Sequence, residues 1–97
     1  MKGYWIAFVD VNSPEQYQEY LQRAPAVLQT YGARILARSE NLTALEGFEV
    51  PPTRAVVLEF DSYEQAMACY QSPEYQAASE FRKEAAFAQV VIMKGSE

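Results

Sequence analysis

Gly3-Tyr4-Trp5-Ile6-Ala7-Phe8-Val9-Asp10-Val11 is the stretch on which the fold turns. Successive side chains of a strand point to opposite faces, so Tyr4 to Val11 divides into two sets. Trp5, Ala7, Val9 and Val11 are wholly apolar; Tyr4, Ile6, Phe8 and Asp10 are apolar until the last member. A strand that is apolar on both sides needs cover on both. The remaining chain holds enough helix to cover one face of a small sheet. The other face therefore calls for a second molecule, and a homodimer through the sheet faces is expected.

Moving outward, Asn12-Ser13-Pro14-Glu15-Gln16 opens a helix: Ser13 as cap, Pro14 at the first helical position, Gln16 completing a capping box. Tyr17, Leu21, Ala24, Leu28 and Tyr31 then share a helical face, with Tyr20 and Val27 beside them, and Gly32 is placed to stop the helix. Pro25 lies inside this pattern, but the apolar face keeps phase across it, which predicts one kinked helix. Ala33 to Ser39 reads as a second strand in which Arg34, Leu36 and Arg38 alternate against Ile35. Leu42 to Leu45 looks extended too, continuing the strand past a bulge or folding back near Glu40-Asn41.

Gly47 to Thr53 reads as loop. Arg54 to Phe60 is a strand with Val56, Leu58 and Phe60 on one face and Ala55, Val57 and Glu59 on the other. Ser62-Tyr63-Glu64-Gln65 is a second capping box, opening a helix with Tyr63, Ala66, Met67 and Tyr70 inward. This helix breaks at Ser72-Pro73-Glu74 and resumes with Tyr75, Ala78, Phe81 and Ala85 at helical spacing. Ala88 to Lys94 is a last strand rich in β-branched residues. The order β-α-β-β-α-β over a single domain of 97 residues predicts an α+β, ferredoxin-like sandwich: a four-stranded antiparallel sheet with its helices on one face.

Composition narrows the function classes. Eight basic against thirteen acidic residues give a net charge of -5, and Arg82-Lys83 is the one adjacent basic pair. A phosphate backbone needs concentrated positive charge, so neither nucleic acid nor an anionic membrane is an expected partner. The outer face of Arg54–Phe60 also lacks the paired aromatics on which RNA recognition motifs stack bases. No leader or bilayer-spanning run is apparent, and a soluble, cytoplasmic protein is expected. Histidine is absent and Cys69 is the single cysteine, so a zinc site or His-ligated haem lacks ligands; no metal or cofactor is expected. Acid–base chemistry would fall to a carboxylate, tyrosine or lysine.

The pieces also carry a resemblance. Gly3-Tyr4-Trp5-Ile6 leading into Val9-Asp10-Val11, then Tyr17 and Tyr20, then Tyr31 through Arg38, resemble a small bacterial family, domain-of-unknown-function family 1330. Leu45-Glu46-Gly47, Val56 through Phe60 and Ser72-Pro73-Glu74-Tyr75 continue the likeness over nearly the whole chain. Gly32-Ala33 and Ser39-Glu40 stand where that family often has glycine pairs. The resemblance implies a dimeric α/β barrel, in which two ferredoxin-like subunits set their open sheet faces together. It implies no catalytic residues, and related barrels perform several chemistries.

Arg38 and Glu59 are the charged residues singled out. If Asp10 and Glu59 mark the less apolar face of their strands, Arg38 on the neighbouring strand meets Glu59 or a ligand carboxylate there; a structural ion pair is the competing reading. Tyr70 and Tyr75, beside the Ser72-Pro73 break, are candidates to line a cleft, against the ordinary reading of core packing. The expected function is small-molecule binding or cofactor-independent catalysis on a partly apolar organic substrate. Glu59 or Asp10 would then carry protons and Arg38 stabilise an anion. The alternative is a non-catalytic dimeric interaction or stress-related module.

Overall fold

The computed structural model describes residues 1–96. Strand β1 (Gly3–Val11) leads into α1 (Pro14–Thr30), then β2 (Arg34–Ser39) and β3 (Arg54–Phe60), two helices, α2 (Tyr63–Gln71) and α3 (Pro73–Ala85), and β4 (Ala86–Lys94). The sheet order is β2-β3-β1-β4, with every neighbouring pair antiparallel, and β1 lies between β3 and β4. This is the expected ferredoxin-like sandwich.

Register assigns the faces. Trp5 opposes Leu58 and Ile92, and Ala7 opposes Val56 and Val90, so these residues share the side that the helices cover. Trp5, Leu58 and Phe60 are buried there together with Tyr75, Ala78 and Ala85. On the open side stand Tyr4, Ile6 and Phe8 with Val57, Val91 and Met93. The Cα envelope is only 17 Å in its shortest direction, room for one layer of helix on one sheet.

Helix ends follow local chemistry, with one correction. Ser62 Oγ accepts from the Gln65 amide, as the capping box requires. Ser13 occupies the cap of α1, but its side chain makes no capping bond. The amides of Asn12 and Ser13 donate instead to the Ala85 carbonyl, and the Gln16 amide group donates to Glu84. Tertiary contact with the end of α3 replaces the local box. Helix α1 continues through Pro25 as one element. Gly32, at φ +80°, supplies the left-handed residue that ends it. Ser72 joins α2 to α3: its hydroxyl donates to the Cys69 carbonyl and accepts from the Tyr75 amide.

Residues 40–53 carry no strand, contrary to the extended reading of Leu42–Leu45. Ser39 Oγ accepts from the Asn41 amide and turns the chain away from the ladder. The connection returns at Thr53, whose amide donates to the Val9 carbonyl. On the way, Phe48 sets its ring edge-on to Phe8, with centroids 5.5 Å apart. Among the described residues no helix is long and apolar enough to cross a membrane.

Candidate functional site

Between α1 and the covered face of the sheet lies a chamber of about 360 Å³. Its walls are apolar: Trp5, Val9 and Leu58 from the sheet, Leu21 and Leu28 from the helix. Small side chains at Ala7, Ala24 and Ala33 leave the space that bulkier residues would fill. Among the described residues its lining contains Arg38, Arg54 and Arg82 but no aspartate or glutamate.

Arg82, from the last turn of α3, is the deepest of the three cations. It is 6% exposed, its Nε has no hydrogen-bond partner, and no carboxylate among the described residues pairs with it. Its guanidinium carbon lies 5.8 Å from the centroid of the Tyr20 ring. A buried guanidinium without a counter-ion is unusual, because desolvation of the charge is normally offset by pairing. Arg82 and Val90 also border a second, more open space of about 330 Å³, which Tyr70 and Lys83 help to line.

Beside Arg82, the hydroxyls of Tyr20 and Tyr75 lie 2.7 Å apart, one donating to the other. Burial pushes Tyr20 well above the ordinary phenol range, and the neighbouring Tyr75 adds to the rise. Burial also raises Tyr75, against the opposing effects of the Tyr20 hydrogen bond and Arg82. Tyr17 is raised by burial too, with Arg54 and Arg82 pulling the other way; the Arg54 guanidinium stands 5.7 Å from its ring centroid. These phenols are therefore protonated at neutral pH. The Tyr20–Tyr75 pair spends one of its two protons internally and keeps one for a third partner. Packing fixes the cluster: Tyr75 meets Trp5 edge-on at 4.9 Å and lies 5.6 Å from Tyr70.

Of the residues expected at a site, Arg38 and Tyr75 border the chamber, and Tyr70 borders the second space. Asp10 and Glu59 border neither; both lie on the open side of the sheet. The expected Arg38–Glu59 meeting does not occur. Glu59 pairs with Arg34, Oε1 to Nε at 3.0 Å, and accepts from the Tyr4 hydroxyl at 2.9 Å. The reason is a bulge at Leu36: Arg34 opposes Glu59 and Ile35 opposes Leu58, but Ala37 then opposes Val57 and Arg38 opposes Val56. One extra residue reverses the alternation and carries Arg38 to the chamber side.

Arg82, Arg54, Tyr17 and Tyr20 were not singled out from sequence. Arg82 follows Tyr75 by seven positions and Ala78 by four, a spacing that places it on the inward stripe of α3. The reading of Phe81 as inward obscured this. Phe81 is half-buried and covered by Arg23, whose guanidinium carbon lies 4.1 Å from its ring centroid. Cys69 is buried away from both spaces, and burial pushes its thiol up to about 11.

Comparison with known proteins gives a family match and a set of structural likenesses. The family model described as domain of unknown function (DUF1330) matches residues 2–96. No curated protein matches the sequence. A protein of unknown function from Rhodopseudomonas palustris superposes with a TM-score of 0.76 at 16% identity, over 99% of this chain and 83% of its own. SnoaB, a cofactor-independent oxygenase from Streptomyces nogalater, gives 0.68 at 7% identity, over 99% and 94%. A dimeric ferredoxin-like protein of unknown function from Jannaschia sp. CCS1 gives 0.66 at 13%, over 98% and 100%. At such identities the likeness speaks for the fold alone.

Proposed function

Because the chain belongs to the DUF1330 family, whose name assigns no activity, its function is read from its own geometry, and we propose that it binds a small, partly apolar organic molecule in the chamber between the sheet and α1. The chamber itself carries this reading. About 360 Å³ of space with apolar walls and a convergent polar cluster is what a small-molecule site requires. The protein acts either as a binding protein or as a cofactor-independent enzyme.

The titratable side chains of the lining are three arginines and Tyr17, Tyr20 and Tyr75, and all of these are donors at neutral pH. An enzyme built on this chamber works by holding and polarising its substrate, without a histidine or carboxylate base. Glu59 and Asp10, on the far side of the sheet, have no part in it.

A neutral fluorescent probe, N-phenyl-1-naphthylamine, tests the reading. The wild-type protein is expected to bind one probe per chain and to melt at a higher temperature with it. Leu21→Trp, which fills the chamber from α1, is expected to fold and to lose the probe. Absence of both binding and a thermal shift, or unchanged binding by folded Leu21→Trp, refutes the proposal.

We also propose that the protein is a homodimer through its open sheet face. Ile6 and Phe8 are only half-buried there, while Phe87, Val91 and Met93 are exposed. The barrel-like pairing of two such faces would remove this apolar surface from water.

A further inference from the structure

We propose that the ligand is an organic anion, a carboxylate or similar oxyanion on an apolar body, whose charged group is received by Arg82 and the Tyr20–Tyr75 pair. This rests on the reading of the chamber as a small-molecule site and names the chemistry of its occupant.

Charge distribution is the first argument. The chain has thirteen acidic and eight basic residues. Its outward arginines find carboxylates: Arg23 pairs with Glu19, and Arg34 pairs with Glu59 and Asp61. Arg38, Arg54 and Arg82, which line the chamber, have no such partner among the described residues. In an acidic protein this leaves three chamber arginines without a counter-charge, Arg38 exposed, Arg54 half-buried and Arg82 buried.

Burial is the second. An exposed unpaired arginine is solvated by water, but Arg82 is 6% exposed and its Nε is unpartnered. The Tyr20 ring, its centroid 5.8 Å from the guanidinium carbon, offsets part of the desolvation, yet a ring face is a weak substitute for an anion. The third argument is the spare proton of the Tyr20–Tyr75 pair, which adds a neutral donor beside the guanidinium. A buried cation with a phenol pair beside it suits an oxygen bearing negative charge. The apolar walls exclude an inorganic ion as the preferred occupant, because its hydration would be lost without compensation.

Isothermal titration with 2-naphthoate and with 2-naphthamide, matched in shape and different in charge, tests this. The wild-type protein is expected to bind the acid at least about tenfold more tightly than the amide, the worth of one charge-assisted hydrogen bond. Arg82→Met is expected to bring the ratio near one while amide binding persists. Tyr75→Phe keeps the packed ring and is expected to lower the ratio about threefold; it carries the test if Arg82→Met does not fold. Equal binding of acid and amide by the wild type overturns the inference and leaves the chamber as a neutral site. A ratio preserved in Arg82→Met, or in Tyr75→Phe where that variant carries the test, overturns it as well. If neither compound binds, the inference falls, while the small-molecule reading stands or falls by the N-phenyl-1-naphthylamine titration.

Discussion

Glu59 shows how one residue can be correctly placed and wrongly partnered. Its face follows from the alternation of β3, but its cation is Arg34 rather than Arg38. Around it runs a surface network: Tyr4 donates to Glu59, Arg34 bridges Glu59 and Asp61, and Lys2 stands 3.5 Å from Asp61. The Tyr4 hydroxyl first, and then Arg34, hold the Glu59 carboxyl below its ordinary value; Arg34 does the same for Asp61. A carboxylate lowered in the folded state contributes stability that is present above its unfolded pKa and lost as pH falls through the folded one. Glu59→Gln is therefore expected to lower the melting temperature modestly at pH 7, in keeping with the small worth of solvated pairs. The difference from wild type is expected to shrink as the pH falls below about 4, the ordinary carboxylate range. Thermal melts of both proteins at pH 7 and pH 3 check this, and a gap that stays constant would mean that charge is not the cause.

At the scale of elements, α1 and α3 make the chamber between them and the sheet. Helix α3 delivers Tyr75 and Arg82, seven residues or about two turns apart, on its buried stripe, and α1 brings Tyr17 and Tyr20 to meet them. Pro25 lies in the same wall of α1, where its ring removes a backbone hydrogen bond. Replacing an interior proline by alanine favours a helix by up to about 3 kcal/mol. Pro25→Ala is expected to stabilise the fold by about 1–3 kcal/mol and to alter probe binding, because the wall of α1 is redrawn. Urea unfolding and the N-phenyl-1-naphthylamine titration give the two readouts. A destabilised Pro25→Ala would show that the proline is fitted to the packing of α1 rather than tolerated by it.

At the scale of the molecule, one face of the sheet carries the helices and the other is left to the surroundings. Phe48 covers Phe8, but Val91 and Met93 are each 51% exposed. Obligate interfaces commonly bury about 2,000 Å² or more. Light scattering at micromolar concentration is expected to return a mass near twice 11.0 kDa. Val91→Asp, midway along the edge strand β4, puts a charge on the open face of each subunit and is expected to shift the population to monomer without unfolding it. A wild-type monomer, or a dimer indifferent to Val91→Asp, would place the interface elsewhere.

The order of elements, the sidedness of β1 and β3, and the break at Ser72-Pro73 all follow from the chain alone, because each depends on side-chain period or on local hydrogen bonding. The absence of histidine likewise narrows the chemistry from the sequence alone. The site was decided by the tertiary structure. Arg38 changed sides because a single bulged residue reverses alternation, and nothing in Ile35-Leu36-Ala37 announces where two strands will slip against each other. In the sequence Arg82 is only half of an adjacent basic pair. It became the deepest charge of the chamber because α3 turns that stripe, and not the Phe81 side, toward the sheet. Nor can spacing reveal an unfilled volume: the chamber exists because Ala7 of β1, Ala24 of α1 and Ala33 of the α1–β2 connection come together, and their smallness acquires meaning only once the chain has folded.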